Sequence, residues 1–132
     1  MTDDKTTFVL HADEARKLSA LDTRKQILLC NKHRLVKNFL TAINIEMHTV
    51  CVDGKYSFEY KDFLNPYSFK NMTLTLDEYE RAVRSVVDTV QDNMKEAGYE
   101  VNKSTMTPVL TSYGGDVGRY DINIHISWLQ KE

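Results

Sequence analysis

The chain has 132 residues, two cysteines and a formal net charge of −2, from 17 basic and 19 acidic side chains. That length suits one domain, 1–132, able to bury a core without a metal or disulfide staple. The near-neutral balance excludes a global field that would draw in nucleic acid or an anionic membrane, and 42% hydrophobic with 27% charged residues excludes disorder except at the ends.

Residues 1–7 are polar and expected to be flexible. No basic region followed by an apolar core marks a secretory signal, and no apolar run approaches the ~20 residues of a membrane helix. A reducing site of synthesis is expected, with Cys30 and Cys51, both in apolar stretches, as reduced and mostly buried thiols.

"TTFVL" (6–10) suits a short strand or an anchoring segment. "ADEARKLSA" (12–20) suits a short helix, with its acids first and its bases last. Asp22 is placed to cap a long helix over roughly 23–50, in which Leu28, Leu35, Phe39, Ile43, Met47 and Val50 form an apolar stripe. "DG" at 53–54 ends it. "KYSFEYK" (55–61) alternates as a half-buried strand, and "DFLNPYSFKNMTLT" is irregular but apolar enough to pack on the domain.

Thr75 and Glu78 form a T-x-x-E capping box. Tyr79, Ala82, Val83, Val86, Val87, Val90, Met94 and Ala97 follow as one stripe, and Gly98 is placed as a left-handed C-terminal cap. Strands are predicted over 99–103 and 106–112, the second an edge or interrupted strand because of Pro108. In the last strand Tyr120, Ile122, Ile124, Ile126 and Trp128 point one way, and Asp121, Asn123, His125 and Ser127 the other. The fold class is α+β: a single antiparallel sheet of about four strands, covered on one face by two amphipathic helices.

Catalytic chemistry finds little footing. Cys30 and His33 are three apart on a helix but have no activating third group. His11, His33, His48 and His125 have no partner at a metal-ligand spacing, so no metal or other cofactor is expected. Asp13, Glu14, Asp77, Glu78 and Glu80 suit the helix dipole. Arg24, Lys25, Lys32, His33, Arg34 and Lys37 suit a solvated helix face better than a phosphate contact, without a glycine cradle or interleaved aromatics. No enzyme activity is expected.

"YGGDVGRY" (113–120) admits two readings. Its glycines suit a plain hairpin turn. The same residues also supply the parts of a small-ligand pocket: amides of Gly114 and Gly115 as an anion nest, Arg119 as a phosphate clamp, and Tyr113 and Tyr120 as stacking surfaces. Phe63, Tyr67 and Phe69, near an edge strand, are candidate interface residues.

Four short pieces carry a resemblance: Glu14 to Leu18 ("EARKL"), Gly54 to Ser57 ("GKYS"), Gly98 to Val101 ("GYEV") and Ile126 to Trp128 ("ISW"). In this order they resemble a loose group of small tailed-bacteriophage proteins of hypothetical or virion structural type. "KDFLNPYSFKNMTLT" and the glycine loop depart from that pattern. The resemblance implies a protein without an enzyme site, located in the virion or in the cytoplasm of the infected host. Two classes follow. One is a virion or assembly component that acts by self-association and contact with another phage or host protein. The other is an accessory, anti-defence protein that binds a host protein or sequesters a nucleotide-like ligand.

Overall fold

The computed structural model describes residues 11–19, 23–111 and 117–129. The segment 6–10, Asp22 as a helix cap, and Tyr113, Gly114 and Gly115 lie outside the described residues. Helix α1 (Ala12–Ser19) contacts helix α2 (Thr23–Val52). Strand β1 (Ser57–Leu64) leads through a 3-10 turn (Pro66–Ser68) to helix α3 (Leu76–Glu96), and strands β2 (Glu100–Leu110) and β3 (Val117–Ser127) complete the order.

The helix boundaries follow from local chemistry. Thr75 Oγ1 accepts the Glu78 N–H at 3.2 Å, while Glu78 Oε1 accepts the Thr75 N–H at 3.0 Å, so the capping box starts α3. Gly98, at φ +99°, closes α3 with the Gly98 N–H on the Lys95 carbonyl and the Tyr99 N–H on the Met94 carbonyl. Gly54, at φ +79°, repeats the device for α2: its N–H meets the Cys51 carbonyl, and the Lys55 N–H meets that of Val50. These are paired bonds of the Schellman type, for which glycine avoids the Cβ penalty.

The described strands form one antiparallel sheet in the order β1-β3-β2. Both outer strands run antiparallel to β3, hence parallel to one another, with α3 crossing between them. The last strand thus inserts into a β-α-β unit. The segments read as two strands, 99–103 and 106–112, belong to one strand: a register irregularity between Val101 and Lys103 absorbs an extra residue, and pairing with β3 continues through Pro108.

Helices α2 and α3 pack on one face of the sheet. Ile122, Ile124 and Ile126 meet Leu35, Phe39, Ile43 and Met47 of α2 and Val83, Val86, Val87 and Val90 of α3 in one buried cluster. This is the expected α+β architecture. Cys30 and Cys51 are both exposed, which corrects the expectation of buried thiols. Their neighbours at Asn31, Leu35, Met47 and Val50 turn toward the protein and leave the cysteines on the outer side of α2.

Candidate functional site

Alternation along β1 assigns its side chains. Phe58, Tyr60, Asp62 and Leu64 pair with Ile126, Ile124, Ile122 and Tyr120, so they share the helix-covered face. Ser57, Glu59, Lys61 and Phe63 share the opposite face with Ser127, His125, Asn123 and Asp121. Among the described residues no helix covers that second face.

Phe63 is 50% exposed there, and the Arg119 guanidinium carbon lies 5.7 Å from its ring centroid. Arg119 Nε also donates to Asp121 Oδ1 at 2.8 Å. Register explains the triad: Asp121 lies opposite Phe63, and Arg119 is two residues further along β3 on the same face.

Among the described residues the candidates do not converge. Tyr67, in the 3-10 turn, is 87% exposed, whereas Phe69 is only 2% exposed and stacks edge-on against Tyr79 at 6.1 Å. Phe69 is therefore core, a correction to its reading as interface: Asn31 of α2 clasps the backbone of Lys70 just after the turn, which seats Phe69 against Tyr79. Tyr120 is buried too, 5.1 Å from Tyr79 between ring centroids. Neighbouring residues in a strand point to opposite faces, so Arg119 and Tyr120 do not line one pocket.

Buried phenols shape the core side. Tyr79 donates its hydroxyl to the Leu64 carbonyl at 2.9 Å, and burial above all, with charge repulsion from Tyr120, pushes its pKa up to about 12. Burial likewise raises Tyr120. Tyr60 is raised most: burial is the main cause, followed by its hydrogen bond to the Asp62 carboxylate.

The strand carrying Pro108 is an outer strand, as expected, and β1 is the other one. The Trp128 N–H donates to the Tyr56 carbonyl at 2.9 Å. In an antiparallel ladder hydrogen-bonded pairs alternate with non-bonded ones. Positions 56, 58, 60, 62 and 64 therefore direct their backbone groups at β3, while Ser57, Glu59, Lys61 and Phe63 direct theirs outward. The Phe63 N–H agrees with this phase, since it donates to Asp62 Oδ1 at 2.8 Å instead of to β3. Among the described residues no strand pairs with this outer edge of β1. A signal was available in the sequence: Asp62 interrupts the apolar phase of Tyr56, Phe58, Tyr60 and Leu64.

Glu59 and Lys61 stand side by side on this edge, 4.0 Å between Oε1 and Nζ, and both are at least half exposed. On β2 the same alternation directs the backbone groups of Ser104, Met106 and Pro108 away from β3, so the missing N–H of Pro108 falls on the outer side of that strand.

Among the described residues, no group of three His, Cys, Asp or Glu side chains is placed to hold a metal ion, and no helix is long and apolar enough to cross a membrane. Comparison with protein-family models, with curated proteins and with solved structures gives no match to this chain.

Proposed function

We propose that this is a non-enzymatic protein that acts by protein–protein contact and self-assembly, in the role of a bacteriophage virion or assembly component. The observation that carries the reading is the sheet face left uncovered among the described residues and its outer strand, where Phe63 stays half exposed under Arg119. An exposed aromatic beside a strand edge that no described strand pairs is a surface suited to docking. The virion role rests on the resemblance of Glu14 to Leu18, Gly54 to Ser57, Gly98 to Val101 and Ile126 to Trp128 to small tailed-phage proteins.

Light scattering on the purified protein over a range of concentrations tests the reading. The expected result is a molar mass that rises above one chain as concentration increases. A strict monomer at every concentration, together with no stable complex with products of neighbouring genes, overturns it.

A further inference from the structure

We propose that β1 is a self-recognition edge, on which a second copy of this chain adds its own β1 antiparallel about a two-fold axis at Tyr60. The inference rests on the self-assembly reading and specifies its surface. Two observations carry it: the phase of the outward backbone groups, and the order of charge along the edge.

The outward groups belong to Ser57, Glu59, Lys61 and Phe63, all at odd positions. Two antiparallel copies form a ladder only when odd positions face odd positions. Centring on Tyr60 satisfies this. Glu59 then lies opposite Lys61 of the second copy, and Lys61 opposite its Glu59. Opposite charges directly across a strand pair stabilise it, and like charges oppose it. Sliding the register by two residues one way sets Glu59 against Glu59; the other way sets Lys61 against Lys61. The central register is therefore selected by charge as well as by hydrogen bonding.

The remaining positions fit the same arrangement. Ser57 meets Phe63 of the second copy, and the exposed Tyr56 comes opposite its Leu64. The two-fold axis stands perpendicular to the sheet, so the helix-covered faces of both copies lie on one side. Phe63 cannot donate in both directions, because its N–H is held by Asp62. The outer rungs therefore rely on the Phe63 carbonyl, and the inner rungs at Glu59 and Lys61 dominate. A charged edge also discourages pairing with arbitrary strands, so this one is closed to most partners and complementary to itself. The contact is small, and its association is concentration-dependent.

Glu59→Lys and Lys61→Glu are both exposed substitutions that leave the core untouched. Light scattering and sedimentation of each variant alone, and of the two mixed, test the proposal. Each variant alone sets like charges opposite one another, and its dimer dissociation constant is expected to rise roughly tenfold or more. Mixed at equal amounts, the Glu59→Lys chain presents lysine at both edge positions and the Lys61→Glu chain presents glutamate at both, so a one-to-one heterodimer is expected. If the natural chain self-associates but neither variant weakens it, or mixing restores nothing, this edge is overturned and the self-assembly reading stands. If the natural chain is monomeric throughout, both fall.

Discussion

The Asp62 carboxylate accepts hydrogen bonds from two groups: the backbone N–H of Phe63 at 2.8 Å and the hydroxyl of Tyr60. The first points out of the sheet edge and the second lies in the core against Phe39, whose ring centroid is 5.9 Å away. One side chain thus links edge to interior. Asp62→Ala removes the acceptor for a buried phenol, and leaving such a group unsatisfied costs about 1–3 kcal/mol. The same change releases the Phe63 N–H for pairing. Urea unfolding is expected to show lower stability, while light scattering at equal concentration shows stronger association. A loss of both would mean that the released N–H contributes nothing to assembly.

Arg24 and Glu78 join the starts of α2 and α3 across 54 residues of sequence, with Arg24 Nη2 at 2.5 Å from Glu78 Oε1. The Glu78 carboxyl is held below its ordinary value of 4.5, first by the backbone N–H of Thr75 and then by Arg24. A carboxylate with a lowered folded-state pKa stabilises the fold above its ordinary pKa, and that contribution is lost as pH falls through the folded value. Glu78→Gln is therefore expected to be less stable than the natural chain at neutral pH, and the gap should close below pH 4.5. Thr75→Ala, which removes the side-chain cap, is expected to cost about 1 kcal/mol. Thermal unfolding at a series of pH values checks both.

Asn31 is the one buried polar residue among those described, and it anchors the segment between β1 and α3. Its Oδ1 accepts the Lys70 N–H at 2.9 Å, and its Nδ2 donates to the Lys70 carbonyl at 2.9 Å. Arg34 donates to Asn31 Oδ1 at 2.6 Å and to the Ser68 carbonyl at 2.7 Å, which extends the clasp. Asn31→Ala strands both backbone groups of Lys70, an expected loss of about 1–3 kcal/mol. The loss should concentrate locally: amide exchange at Lys70 is expected to accelerate more than exchange in β3. Uniform acceleration would show that the clasp is coupled to global unfolding instead.

Local chemistry was legible wherever it was self-contained. Helix α3 carries its start in Thr75 and Glu78, its stop in Gly98, and an unbroken stripe between them. Strand β3 carries four buried residues at strict alternation, from Tyr120 to Ile126. The same alternation already separated Arg119 from Tyr120, so the pocket that combined them conflicted with the strand it sat on. Phe63 and Phe69 were not separable in this way. Their fates depend on β1 running on to Leu64 and on the turn that follows, and neither is marked by a period. The insertion of β3 between β1 and β2 is a long-range pairing with no local signature. The outward phase of Glu59 and Lys61 follows from that pairing, which is why the β1 edge emerged only with the fold.

Buried phenols give the core a pH limit of their own. Tyr60, Tyr79 and Tyr120 all have raised pKa values, with burial the first cause in each. For Tyr79 the folded value is about 12 against an ordinary 10.0. A phenol is neutral below its pKa, so a raised folded value means that the fold favours the neutral form. This contribution is fully present below pH 10 and is lost as pH rises through about 12. Tyr79→Phe removes the titrating group but also the hydrogen bond to the Leu64 carbonyl, a net interaction worth about 0.5–1.5 kcal/mol. At neutral pH the variant is expected to be less stable by that amount. Above pH 10 the difference should shrink and then reverse, because the natural chain alone must ionise a phenol at this position. Unfolding followed by circular dichroism, beside tyrosinate absorbance in the same samples, checks the crossing. Parallel stability curves for the two proteins across the alkaline range would show that Tyr79 does not set the limit.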